Sequence, residues 1–233
     1  MNGSSGRTLS TIITIVTGLG MLISLYMVFV FAPTERMMGD VQRIFYFHVS
    51  TAWVGMLAFL VVFIASIAFL RSQKREWDRL ALSSAEIGVV FMTMALVTGS
   101  LWAKPTWNTW WTWDPRLTTS AILWTIYVVY LVLRGAIEEP MQRARLSAIF
   151  GIIGFIDVPI VFMAIRWWRT IHPVVFDSEG FDLNGRMLLT FVVCLITFTL
   201  LYVTLLVQRY RVEALTDAVR QLKQQLEEQE ILS

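Results

Sequence analysis

Between Pro105 and Ser120 the chain reads PTWNTWWTWDPRLTTS, which sets Trp107, Trp110, Trp111 and Trp113 within seven residues and follows them with Asp114 and Arg116. One or two tryptophans would need no explanation beyond the amphipathic anchoring common at membrane interfaces. Four exceed it. If the segment is helical, Trp107, Trp110, Trp111 and Asp114 fall at i, i+3, i+4 and i+7 and share one face, with Trp113 to the side. Asn108 and the threonines weaken helical propensity, so an irregular segment whose rings are arranged by tertiary packing is the other solution. Either one offers a flat apolar platform to a large planar ligand.

Asp114 before Pro115 reads as a helix cap, with proline at the first helical position where a missing amide costs nothing. Arg116 in the first turn faces the positive end of the helix dipole and wants an anionic partner, either Asp114 or a ligand carboxylate gripped by its planar donor fork. The chain has only two histidines and one cysteine. His48 lies in RIFYFHVSTAW and His172 in WWRTIHP. A neutral imidazole nitrogen can ligate iron, and a porphyrin accepts one axial ligand on each face. Arg43 and Arg116 are cations available to porphyrin propionates. Three readings stay open on these residues: a bis-histidine haem, a quinone or other planar ligand, and structural or proton-relay histidines.

The elements that must position these groups follow from composition. The 233 residues are 56% apolar and 15% charged, where globular chains carry roughly 25% charge. With a mean hydropathy of +0.63, a soluble enzyme is excluded. A net charge of +2 with scattered cations also excludes a nucleic-acid reader, which needs a basic stripe. Six apolar runs, at 11–31, 49–70, 81–102, 117–133, 146–165 and 187–207, approach or reach the roughly 20 residues that cross a bilayer as helix. The expected fold is an all-α polytopic membrane protein of six transmembrane helices. Twelve lysines and arginines fall on one side of these spans and seven on the other, which predicts both termini in the cytoplasm. The loops carrying both histidines and the tryptophans then face outward.

Two carboxylates, Glu86 and Asp157, interrupt spans, and Pro159 beside Asp157 predicts a broken helix there. Asp40 is expected to cap a helix from about Val41 to Leu70 that carries Arg43 and His48. The chain divides into a six-span body, 1–207, and a cytoplasmic amphipathic tail, 208–233. In the tail Val212, Leu215, Val219, Leu222 and Leu226 are spaced as one helical seam, suited to a partner helix.

The tryptophan-rich, aspartate-ending loop together with His48 and His172 closely resembles the haem exporter protein C family of bacterial cytochrome c maturation, within a superfamily of tryptophan-rich haem-handling proteins. The likeness covers nearly the whole six-span body. Asn108 stands where the family motif has glycine, and the long tail extends beyond the compact core. The resemblance implies a non-catalytic subunit of the inner membrane that holds haem b at the periplasmic face as transient cargo. It implies His48 and His172 as axial ligands, and Trp107, Trp110, Trp111, Trp113, Asp114 and Arg116 as the haem-handling motif. Implied partners are haem, the periplasmic haem chaperone (component E), and the ATP-binding A, membrane B and small D components, within the lipid bilayer. No GxxxxGK[ST] loop is present, so ATP chemistry belongs elsewhere. The rival readings are a membrane haem subunit exchanging electrons with quinone and a structural membrane subunit.

Overall fold

A computed structural model describes residues 3–168, 170, 172, 176–177, 180–181 and 183–232. Six helical segments are long and apolar enough to cross a membrane, because a run of apolar side chains in lipid leaves the backbone no partner but itself. The first is α1 (Gly3–Tyr26), finished by a π-helical turn at Met27–Phe31. A 3-10 turn at Asp40–Arg43 leads into α2 (Ile44–Ser72). Its end at Gln73, in the left-handed region at φ 55°, folds the chain tightly into α3 (Arg75–Trp107). Next come α4 (Pro115–Ala136), then α5 (Pro140–Phe155) and α6 (Asp157–Trp167), which together make one span broken at Ile156. A two-stranded hairpin, β1 (Phe176–Asp177) with β2 (Gly180–Phe181), precedes α7 (Gly185–Leu232).

The six expected spans are all helices, with ends that differ from the hydropathy bounds by several residues. One expected cap is absent: Gly39, not Asp40, takes the N-cap position of the turn before α2, with no side-chain cap. Asp40 is instead drawn to Arg43 at 3.0 Å. The expected break near Pro159 does occur, at Ile156, just before Asp157 opens α6. Glu86 is held by Arg209 of α7 at 2.5 and 2.9 Å.

At the centre α2 and α3 pack along most of their length. Glycines permit the approach: a Cβ on Gly88 would come within 2.6 Å of the Phe59 ring. Hydroxyl pairs stitch α7 to its neighbours, Thr17 to Thr204 at 2.8 Å and Ser84 to Tyr202 at 2.8 Å, since such groups have no water to turn to in hydrocarbon.

The bundle is unevenly packed along its axis. Below the tryptophan loop, toward the far end, Phe59 and Tyr127 stack with ring centroids 3.6 Å apart and Leu123 and Tyr130 are fully buried. There Arg134 grips Asp78 through two bonds of 2.5 and 2.9 Å. The buried residues of α4 are Leu123, Tyr127, Tyr130 and Arg134, and its first turns, from Pro115 to Ile122, bury none. The loop end of the bundle is therefore where space is left.

α7 passes through the 207–208 boundary without a break. Beyond it Asp217 is buried between Arg75 and Arg79 of α3, at 3.8 and 3.4 Å. The five seam residues of the tail are exposed.

Candidate functional site

The space at the loop end is a half-open cavity lined by residues of α2, α3, α4, α6 and two loops. Three helical rows define it. His48, Ala52 and Met56 follow each other at i+4 on α2, Ala95, Gly99 and Ala103 do so on α3, and Arg116 and Ser120 on α4. Spacing by four stacks side chains on one helix face. The small residues hollow the slot, and His48 and Arg116 stand at its loop end.

His48 owes its position to α3. A Cβ on Gly99 would meet the imidazole Cε1 at 3.0 Å, so only glycine leaves the ring its place unstrained. Its Nδ1 lies 3.0 Å from the Ala95 carbonyl and 3.3 Å from the Thr98 hydroxyl. A carbonyl only accepts, so Nδ1 carries the proton and Nε2 keeps its lone pair.

His172 reaches the same cavity from the last loop. Its Nδ1 lies 3.3 Å from Asp114 Oδ2, and its ring stands edge-on to Trp107 with centroids 5.5 Å apart. Burial, then the nearby Arg116 charge, lowers the imidazole below the ordinary histidine range, against the pull of Asp114. The neutral ring donates Nδ1–H to the carboxylate and again leaves Nε2 a lone pair.

Asp114 makes three such contacts. Oδ1 accepts the Leu117 amide at 2.9 Å and caps α4, and Oδ2 accepts the Thr170 hydroxyl at 2.7 Å as well as the His172 ring. Burial opposes its charge, but the Leu117, Thr170 and His172 contacts together hold the carboxyl below its usual range.

The tryptophans separate into two sets. α3 ends at Trp107 because Asn108 turns left-handed at φ 57°, and Lys104 bonds the Asn108 carbonyl at 3.3 Å. Residues 108–114 are irregular, so the second of the two sequence-based arrangements holds and the single helical face does not form. Trp107 and Trp111 line the cavity, whereas Trp110 and Trp113 point outward at 55% and 78% exposure. The Trp111 indole N–H is buried and without a hydrogen-bond partner among the described residues, a donor suited to a ligand oxygen. Arg116 lines the cavity, feels the Asp114 charge, and makes no ion pair among the described residues.

Arg43 is not brought to this cavity. Its guanidinium is taken up by Asp40 at 3.0 Å, by the Val28 carbonyl, which the π-helical turn of α1 contains, and by Thr34 at 3.4 Å. Sequence reasoning passed over Gly99 and Thr170. The signal for Gly99 was the row of small residues Ala95, Gly99 and Ala103 running up to Trp107. Thr170 carried none.

Two imidazoles with free Nε2 lone pairs, an apolar slot, two indole walls, one buried N–H donor and a cation are the groups that a planar macrocycle with a metal centre and acidic substituents would call on. The chain matches the "Heme exporter protein C" family over residues 3–225. It is 37% identical over 194 residues to "Heme exporter protein C" of Bradyrhizobium diazoefficiens, covering 82% of this chain and 74% of that protein. It is 33% identical over 189 residues to the protein of the same name in Haemophilus influenzae, covering 80% of this chain and 77% of that one. A "Putative cytochrome c biosynthesis ccmC-like mitochondrial protein" of Marchantia polymorpha is 35% identical over 159 residues, covering 68% of this chain and 67% of its own length.

Proposed function

The chain belongs to the haem exporter protein C family, and on that premise we propose that it holds haem b between His48 and His172 at the outer membrane face and presents it to the periplasmic haem chaperone. Family membership gives the coarser statement, a haem-handling role in cytochrome c maturation by a multi-pass protein of the bacterial inner membrane. The subunit is non-catalytic.

One observation carries the finer reading. Both histidines of the chain line one cavity, and each has its Nδ1 engaged by an oxygen acceptor, the Ala95 carbonyl or the Asp114 carboxylate. Such outer contacts fix the tautomer and orientation of a metal-binding imidazole. Two rings held this way suit iron ligated from both sides, with Trp107 and Trp111 against the macrocycle and Arg116 toward a propionate. Arg43 supports the outer turn before α2 rather than the cargo. Trp110 and Trp113, exposed beside the opening, are the surface offered to the chaperone. The A, B and D components, implied by the family, supply the ATP chemistry and the rest of the assembly.

A haem spectrum and transfer assay tests this. Wild-type protein purified where haem is abundant should show a bis-histidine spectrum, and replacing either His48 or His172 should change it. Haem should leave the protein when the chaperone is added. A resident redox centre would keep its haem, and unchanged axial-ligand spectra in both mutants would reject the assigned pair.

A further inference from the structure

Resting on the haem reading, we propose that the cargo reaches its cavity sideways from the lipid, through a fork between the outer halves of α3 and α4, and not along the bundle axis from the cytoplasm.

The axis is closed. Below the cavity the bundle is filled by the stacked Phe59 and Tyr127 rings, by buried Leu123 and Tyr130, and, further on, by the Asp78–Arg134 ion pair. A planar macrocycle would have to break that packing to pass, and interiors this dense hold few voids larger than a water molecule. The cavity itself runs along α3 from Trp107 down to Met92, fifteen residues or about 22 Å of helix. Its floor thus lies well within the hydrocarbon, whose core is about 30 Å thick.

The side wall is thin. α4 has fully buried side chains only from Leu123 onward, and none from Pro115 to Ile122. On that outer half Leu117 and Ser120 line the cavity and are partly exposed, and Leu96 and Ser100 of α3 do the same. Ser120 is six residues below the Asp114 cap, about 9 Å into the helix. At that depth the cavity wall stands within the span of the membrane. Deeper in, one bond joins the two helices: the Trp124 indole N–H donates to the Thr93 hydroxyl at 2.8 Å. Thr93 in turn donates to the Val89 carbonyl at 2.7 Å, so the hydroxyl is aimed to receive the indole. This bond is the crotch of the fork. An apolar macrocycle dissolved in the bilayer would slide between the arms with its ring plane along the helices, toward two histidines waiting at the loop end.

The test is kinetic. Haem-free protein is reconstituted in phosphatidylcholine vesicles that carry haemin in the bilayer, with excess albumin in the water as scavenger. Vesicles are spun out at intervals, and the bound-haem band of the protein is compared with the haem on the albumin. The wild type should capture haem at least tenfold faster than the albumin does, without interception. Trp124→Phe and Thr93→Val, both outside the cavity lining, should each speed capture several-fold and leave the final spectrum unchanged. Their combination should add nothing to either alone. Capture at the rate of haem desorption into water, interception by the albumin, or unchanged rates in both variants would each overturn the fork. A wild type that shows no bound-haem band, even with haemin added from water, would overturn the haem reading and the fork with it.

Discussion

Asp114 Oδ2 stands 3.3 Å from His172 Nδ1 while Oδ1 of the same carboxylate accepts the Leu117 amide at 2.9 Å. One side chain thereby ties the start of α4 to an imidazole on the last loop. The two duties can be separated by substitution. Asparagine caps a helix as well as aspartate does, but it is neutral and has one acceptor oxygen instead of two. Asp114→Asn should keep the thermal stability of the bundle while haem affinity falls about 10- to 100-fold, the usual effect of losing an outer partner of a metal-binding histidine. Asp114→Ala should lose the affinity and about 1 kcal/mol of stability besides. Haem titration beside thermal unfolding reads both, and full affinity in the asparagine variant would remove Asp114 from the positioning of His172.

On the other side of the cavity the equivalent lever is a glycine. A methyl at Gly99 would press on His48 Cε1 from 3.0 Å, yet alanine in a helix is favoured over glycine by about 1 kcal/mol. Gly99→Ala should therefore match or exceed the wild type in stability while its haem spectrum or affinity shifts. Gly99→Val, which is bulkier, should abolish bis-histidine ligation. Stability and spectrum moving together in the alanine variant would argue that Gly99 serves helix packing instead.

These two positions mark what the sequence could tell. The six spans were readable because lipid allows a long apolar run little besides a helix, and the cap at Asp114 was readable because its determinants are local. Asn108 announced an interruption, which the left-handed turn at φ 57° explains. The meeting of His48 with the Ala95 carbonyl, forty-seven residues away, was not readable. A backbone acceptor has no residue type to betray it. Arg43 looked like a free cation for the same reason, since one of its partners is the Val28 carbonyl.

The division of the tryptophans makes a further prediction. Trp107 and Trp111 wall the cavity, and Trp110 and Trp113 are exposed beside it. Trp107→Ala and Trp111→Ala should raise the rate of spontaneous haem loss. Trp110→Ala and Trp113→Ala should leave that rate alone and slow transfer to the chaperone. Measuring haem loss to albumin and transfer to the chaperone in the same four variants checks the split, and a uniform defect across all four would refute it.

The far end of the bundle should behave as scaffold. Arg134 and Asp78 are 8% and 9% exposed at the side chain and share two short bonds, so removing one partner leaves a buried charge without compensation. Asp78→Ala should cost about 3–5 kcal/mol, and replacing both residues with apolar ones of similar volume should cost much less. Because this pair lies beyond the packed rings of Phe59 and Tyr127, the haem affinity of the folded fraction should not change in either variant. Unfolding in denaturant with a haem titration on the same samples reads the two quantities separately. A loss of affinity in the double variant, with the fold intact, would mean that the packed end transmits to the cavity and is more than its floor.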